Sequence, residues 1–172
     1  MNDLQCVVVT PERTELDVQA DSVTLPLFDG EMGILKGHSP LVGRLGYGVL
    51  RIKSASGTQS FFVDGGFVQV AKNVVSVLTD RVSAIDLITK ASAEAALKAA
   101  IDLPFDKPDL QVVRDKACTR ARAMVRVASS KDAVGQGVLA VMNDEINSAR
   151  DVVKTNTYRP GTFDAPELGF LG

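Results

Sequence analysis

The sequence predicts an α+β protein in which an antiparallel β-sandwich or flattened barrel is followed by a two-helix antiparallel hairpin and an extra C-terminal tail. In the first half, short stretches with apolar residues at alternate positions are separated by turn residues, which is typical of antiparallel strands. The pattern then changes to alanine-rich stretches with helical spacing. We therefore expect a sandwich over residues 1–82, a helical hairpin over 83–130, and an extension over 131–172 that is partly helical and then flexible.

The composition limits both the core and the classes of function. Of the 172 residues, 45% are hydrophobic but only 5% are aromatic, so the core must be aliphatic. The net charge of -2 argues against nucleic-acid binding. No apolar run reaches the roughly 18 residues of a membrane helix, and residues 1–17 lack a signal-peptide core, so we expect a cytosolic chain whose membrane association is indirect. Cys6 and Cys118 lie far apart in the sequence, which favours two buried or half-buried free thiols over a disulfide or a metal site.

Seven stretches of the first half have the alternation and the length of strands. They are residues 4–9, 15–19, 22–28, 49–53, 59–63, 67–71 and 74–79. The segments Asp64-Gly65-Gly66 and Lys72-Asn73 separate the last three of these stretches, and we interpret both as hairpin turns. Alternation then predicts that four valines of the last two strands face the core: Val68, Val70, Val75 and Val77.

The stretch from Gly30 to Leu41 contains three glycines, Pro40 and the single histidine of the chain, His38. Glycine permits backbone angles that a side chain forbids, whereas proline fixes one of these angles. We therefore predict a shaped loop between two strands. Loops of this kind usually present their side chains to a partner.

The second half begins with a sequence typical of a helix start. Ser83 precedes Asp86 by three residues, as in a capping box, and six alanines follow between residues 91 and 100. Pro104 ends this predicted helix, and Pro108 suits the first turn of the next one. The second helix has one apolar stripe with helical spacing: Leu110, Val113, Ala117, Ala121, Met124 and Ala128.

The hairpin is expected to pack weakly and to be able to move, because alanine side chains bury little apolar area. Beyond it, apolar positions predict a further helix over residues 138–153. The last stretch, 157–172, contains prolines and glycines and is predicted to be flexible.

Three blocks of sequence, residues 29–41, 64–70 and 75–80, resemble the epsilon subunit of rotary F-type ATP synthases. The resemblance covers roughly residues 3–128 in the same order and implies a non-catalytic subunit of the central stalk. Its partners would be the gamma subunit, the membrane rotor ring of c subunits and, through the hairpin, the catalytic alpha/beta head. The subunit would couple proton-driven rotation to ATP synthesis, with hairpin-mediated inhibition of ATP hydrolysis. It would be a peripheral protein at the cytoplasmic face of the bacterial inner membrane.

The resemblance also implies which side chains meet these partners. Four residues would contact the rotor ring: Glu31, Met32, His38 and Ser39. Four more would contact the catalytic head or a nucleotide: Asp86, Arg120, Arg122 and Arg126. The Ile/Leu-Asp-x-x-Arg-Ala nucleotide box of the family is incomplete here, because Thr89 stands in the place of its arginine. ATP is therefore expected at most as a regulatory ligand, and we expect neither a cofactor nor a metal ion.

Two other functions stay open at this point. The same fold could be a free-standing adaptor that binds another protein, and a pull-down would distinguish it from a stalk subunit by the partners recovered. His38 could serve an enzyme, but acid–base catalysis by histidine needs an orienting partner in a pocket. The chain has no second histidine and no nucleophile-elbow motif, so we expect no catalytic activity.

Overall fold

The computed structural model describes residues 3–132, 139–142, 145–148, 153–154 and 163–164. It confirms the predicted α+β architecture, with strands first and two helices after them. The strands are β1 (Leu4–Val9), β2 (Thr14–Ala20), β3 (Ser22–Leu27), β4 (Gly30–Leu35), β5 (Leu41–Ser54), β6 (Gly57–Ala71), β7 (Val74–Leu78) and β8 (Val82–Ala84). A 3-10 turn (Ile85–Leu87) leads to α1 (Lys90–Ile101) and α2 (Pro108–Asp132).

These eight strands form one sheet, whose order is β2-β1-β7-β6-β5-β3-β4, with β8 paired to β6. Neighbouring strands are antiparallel except for the parallel pair β1 and β7. β5 and β6 are the longest strands, with 14 and 15 residues, and pair along nearly their whole length. The side chains of one sheet face gather in a single buried cluster that includes residues of β1, β3, β4, β5, β6 and β7. The sheet therefore folds over onto itself as a sandwich, and its two end strands do not pair with each other.

The core is aliphatic, as the composition predicts. Its largest fully buried side chains are Leu4, Leu25, Ile34, Leu50, Ile52, Val8, Val23, Val63, Val68, Val70, Val75 and Val77. The four valines expected inside are among them, each at most 1% exposed. Close packing of branched side chains makes this body stiff.

The turn at Lys72-Asn73 is also confirmed. Both residues have positive φ, 52° and 62°, and they connect β6 to β7 as a two-residue hairpin. These angles fit a type I′ turn, whose twist matches that of the two strands.

The second predicted hairpin, at Asp64-Gly65-Gly66, is wrong because β6 continues through this segment without reversing direction. The segment is instead a corner where β6 changes partner: Phe61–Val63 pair with β8, and Phe67–Ala71 pair with β7. Gly65 and Gly66 have φ of 70° and 110°, which L side chains rarely adopt. A Cβ on Gly66 would also lie 2.0 Å from the carbonyl oxygen of Leu78. The two glycines therefore permit the corner rather than a chain reversal.

The start of the first helix also differs from the prediction. Ser83 and Ala84 pair with β6 in β8, so they are strand residues. The helix begins at Lys90, and Thr89 is its N-cap. The capping box is formed by Thr89 and Ser92, which exchange side-chain and backbone hydrogen bonds at 3.1 and 3.2 Å. The edge of β6 at Phe61 and Phe62 accounts for the difference. Ser83 and Ala84 can form backbone hydrogen bonds to this edge only if they are extended, and not if they are helical.

The second helix begins at Pro108, as expected, but its apolar stripe is only partly the predicted one. Cys118 and Ala121 pack on Ala100 of α1, together with Ala96, Leu97 and Ala117. Val113, predicted in the stripe, is 56% exposed. The contact between α1 and α2 thus consists mainly of small side chains, which bury little apolar area.

By its internal contacts the chain divides into residues Met1–Val127 and Ala128–Gly172. In the second unit, Leu139–Met142 pairs antiparallel with Glu145–Ser148, and Val153–Lys154 pairs with Phe163–Asp164. The helix predicted over 138–153 is therefore wrong where the structure describes that stretch. The predicted flexible stretch, 157–172, lies outside the described residues except for 163–164.

Both cysteines are free and buried, as predicted. Burial and, to a smaller extent, the nearby Asp17 carboxylate together raise the pKa of the Cys6 thiol from 9.0 to about 12. We expect Cys6 of the native protein to resist alkylation at pH 8 and to react at once in denaturant, with mass spectrometry locating the modified residue. The same shift makes the folded state lose stability as the pH rises from about 9 to about 12, since only the unfolded thiol ionises there. Rapid modification of native Cys6 would contradict this account.

Candidate functional site

The stretch predicted as one loop is half strand and half loop. Residues Gly30–Leu35 form β4 and pair with β3, so the loop prediction is wrong for them. The loop proper is residues 36–40, between β4 and β5. Positive φ occurs at Gly30 (149°) and Gly37 (83°), near the two ends of β4, whereas Gly33 lies inside the strand without it. Gly30 and Gly37 thus lie near the two ends of a strand that the sequence pattern does not reveal.

Hydrogen bonds hold the 36–40 loop at one end of the sandwich. The Gly37 N–H donates to the side-chain oxygen of Asn73 at 2.8 Å, which ties the loop to the β6–β7 turn. The His38 N–H donates to the carbonyl of Leu35 at 3.1 Å, and Lys36 forms an exposed ion pair with Asp3 at 3.1 Å. These contacts fix the backbone of the loop at this end of the sandwich.

The four residues predicted to meet the rotor ring occupy different environments. Glu31 is exposed on β4 and accepts a hydrogen bond from Arg51. Met32 points the other way and packs against the core. His38 is half-buried in the loop, and its Nδ1–H tautomer donates to the carbonyl of the exposed Ser39 at 2.8 Å. Glu31, His38 and Ser39 are therefore accessible to a partner, while Met32 mainly supports the strand.

An exposed apolar patch lies on the outer face of β5, β6 and β7, and we define it by Phe28, Val42, Arg44, Phe67 and Leu78. Arg44 pairs with Phe67 across β5 and β6, and Phe67 pairs with Leu78 across β6 and β7. Val42 lies two residues from Arg44 on the same face, and the guanidinium of Arg44 is 5.0 Å from the centre of the Phe28 ring. Val42 is 76% exposed and Phe67 60% exposed. A cluster of this kind marks an interaction surface.

None of these patch residues is among those predicted from the sequence to bind a partner. Alternation along the strand does predict that Phe67 faces outward, because it lies at an odd number of positions from the core residues Val68 and Val70. Joining it to Phe28 and Leu78 required the strand order, which the sequence pattern does not supply.

The predicted head- or nucleotide-contacting residues separate into two groups. Arg120 turns towards the sandwich, and its Nε–H lies 2.8 Å from both carboxylate oxygens of Asp64. Arg122 and Arg126 are exposed on α2, and Asp86 is exposed in the 3-10 turn. Thr89, which stands where the family's nucleotide box has arginine, caps α1 instead.

Within the described part of the chain, no group of three or more His, Cys, Asp or Glu side chains could hold a metal ion. Among the described helices, none is both long and apolar enough to cross a membrane.

Comparison with known proteins covers both parts of the chain. Residues 3–85 match the family model of the ATP synthase delta/epsilon chain beta-sandwich domain, and residues 110–172 match that of the asparaginase N-terminal domain. The ATP synthase epsilon chain of Rhodopirellula baltica is 50% identical over 125 residues, covering 73% of this chain and 98% of that one. The epsilon chain of Symbiobacterium thermophilum is 41% identical over 132 residues, covering 76% and 94%.

Solved structures agree with the fold. A chain of the Euglena gracilis mitochondrial ATP synthase superimposes with a TM-score of 0.63 at 21% identity, covering 71% of this chain and 79% of that chain. A chain of the central stalk and c-ring assembly from Tetrahymena thermophila gives a TM-score of 0.60 at 15% identity, covering 74% and 97%. At these identities, the superpositions support the sandwich-and-hairpin architecture and nothing finer.

Proposed function

Because this chain belongs to the epsilon chains of the F-type ATP synthase, we propose that it is the non-catalytic central-stalk subunit that couples proton-driven rotation of the rotor ring and gamma subunit to ATP synthesis. The observation that carries this proposal is the 50% identity over 98% of the length of a curated epsilon chain. The subunit itself does no chemistry. Its task is to hold two rotating partners together, and a close-packed sandwich is stiff enough to transmit torque.

The apolar patch is the surface proposed to bind the gamma subunit. It combines large exposed apolar side chains with one cation, Arg44, the composition of a protein interface centre. It also lies on the long paired strands β5 and β6, so a load applied there passes directly into the ladder of backbone hydrogen bonds.

The 36–40 loop, together with Glu31, is proposed to contact the polar loops of the rotor ring. Its support is the hydrogen-bonded anchoring of the loop to Asn73, which presents His38 and Ser39 on a defined backbone. In this arrangement the complex would place the chain at the cytoplasmic face of the inner membrane as a peripheral subunit.

Isolation of the membrane-bound ATP synthase tests the whole proposal. The chain is expected to copurify in constant ratio with the gamma and c subunits after detergent extraction and density-gradient separation. Recovery of the chain alone, or with unrelated proteins, would overturn the stalk assignment in favour of a free adaptor.

The helical hairpin is proposed to restrain ATP hydrolysis by extending towards the catalytic head, with Arg120, Arg122 and Arg126 meeting acidic groups there. Truncation after Ile88 is expected to raise the ATP hydrolysis of the assembled enzyme several-fold while leaving assembly intact, because this cut preserves β8 and removes both helices. The rate of phosphate release by the purified complex is the measurement. Unchanged hydrolysis would show that the hairpin has no inhibitory role.

Truncation after Asp132 is the matched control. The alignment with the R. baltica chain spans 125 residues and already covers 98% of that protein, so the C-terminal unit has little counterpart there. Its similarity is to the asparaginase N-terminal model instead. We expect this shorter truncation to change neither assembly nor hydrolysis, and a change in either would assign the extension a part in the motor.

A further inference from the structure

We propose that Asp64 and Arg120 form a latch that holds the hairpin in its compact position against the sandwich. This inference rests on the proposed hairpin regulation, and it names the contact that sets the balance between the two positions. The residues are 56 apart in sequence, and the Arg120 Nε–H lies 2.8 Å from both oxygens of the Asp64 carboxylate. The pair joins α2 to the sandwich through a charge-assisted hydrogen bond.

The fold fixes the position of Asp64. It lies at the corner where β6 exchanges β8 for β7, immediately before the two glycines with positive φ. Its own N–H donates to the carbonyl of Arg81 at 3.1 Å, which fixes the backbone that carries the carboxylate. The Asp64 side chain is only 12% exposed, so its charge is largely withdrawn from water. A carboxylate in this state depends on a hydrogen-bonded cation.

Arg120 is positioned from the other side by its own helix. Its Nη1 donates towards the sulfur of Met124, one turn along α2, at 3.3 Å, which directs the guanidinium away from solvent. Its side chain is 31% exposed, whereas Arg122 and Arg126 are exposed residues of the same helix. Arg120 therefore loses a charged contact to the sandwich when α2 leaves, whereas Arg122 and Arg126 are already exposed.

The latch matters because the buried side chains of the two helices are mostly small. The contacts between α1 and α2 are made by Ala100, Cys118 and Ala121, small residues that release little free energy on burial. Where packing is weak, one charge-assisted hydrogen bond changes the balance between two positions by about tenfold. Removing one partner leaves the other charge poorly solvated in the compact position but hydrated in the extended one.

The test measures the hairpin position directly, in the full chain assembled into the ATP synthase. Spin labels on Ser56→Cys in the β5–β6 turn and Asp109→Cys at the start of α2 report the distance between sandwich and hairpin, since both sites are exposed. Asp64→Asn and Arg120→Gln are each expected to increase the extended fraction about tenfold. The double variant should resemble either single variant, because the second change removes a contact that is already lost.

The control is Lys116→Gln, which removes the same charge from an exposed position one turn earlier on α2. It is expected to leave the distance distribution unchanged. Arg120→Gln also guards against misfolding, since it alters no residue of the sandwich. Additive effects of the two single variants, or unaltered distances in both, would overturn the latch.

Measuring ATP hydrolysis in the same variants tests the inhibition proposal separately from the latch. If the variants extend the hairpin and ATP hydrolysis falls, both stand. If the hairpin extends without any change in hydrolysis, the latch stands and the inhibitory role fails.

Discussion

Replacement of Gly66 by alanine is expected to lower the free energy of unfolding of the sandwich by more than about 4 kcal/mol. The new Cβ would lie 2.0 Å from the carbonyl oxygen of Leu78, a distance that no real contact allows. The φ of 110° adds strain for any L side chain. Relief would require β6 and β7 to separate at the corner, which breaks the pairing of Phe67 with Leu78. Urea unfolding followed by circular dichroism gives the change.

Gly33→Ala is the matched control, since Gly33 is also a strand glycine of the same sheet. A Cβ there meets nothing within 4 Å, and the residue has no positive φ. Its unfolding free energy is expected to stay within about 0.5 kcal/mol of the unchanged protein. Equal midpoints for the two variants would show that the corner is not built as described.

Phe67→Asp is expected to weaken binding to the gamma subunit about 100-fold, the loss typical of a central apolar contact. Phe67 is 60% exposed and lies at the middle of the apolar patch, between Arg44 and Leu78. A carboxylate at this position would have to be desolvated against the partner without a hydrogen bond. Titration of isolated gamma subunit with the variant chain measures the dissociation constant.

Thr58→Asp places the same charge on the same strand, at the exposed end of β6 far along the ladder from the patch. Its affinity for gamma is expected to equal that of the unchanged chain. Should both variants bind gamma normally, the patch would have to serve another partner.

The fold could be predicted well wherever the deciding interactions are local. Alternation alone placed Val68, Val70, Val75 and Val77 in the core, because a strand has only two faces. The turn at Lys72-Asn73 followed from its length and residue types, since a two-residue hairpin accepts few conformations. Pro108 marked the start of α2 because proline fits only the first turn.

The candidate site could be predicted only in outline. The sequence identified the stretch around His38 and the basic residues of α2, but it hid β4 inside a glycine-rich stretch. The sequence also does not show that Met32 faces the core, because this follows from the alternation of side chains along β4, and the glycine-rich pattern does not reveal that strand.

By itself the sequence determined the class of the protein, its stiff aliphatic sandwich and the order of its parts, since these depend on composition and on short-range periodicity. Tertiary structure alone decided that Asp64-Gly65-Gly66 is a corner, that Ser83 belongs to a strand, and that Arg120 meets Asp64. In each case the deciding partner lies elsewhere in the chain: the Leu78 carbonyl, the free edge of β6, a carboxylate 56 residues away. A local pattern is compatible with several structures, and only the free energy of such long-range contacts selects among them.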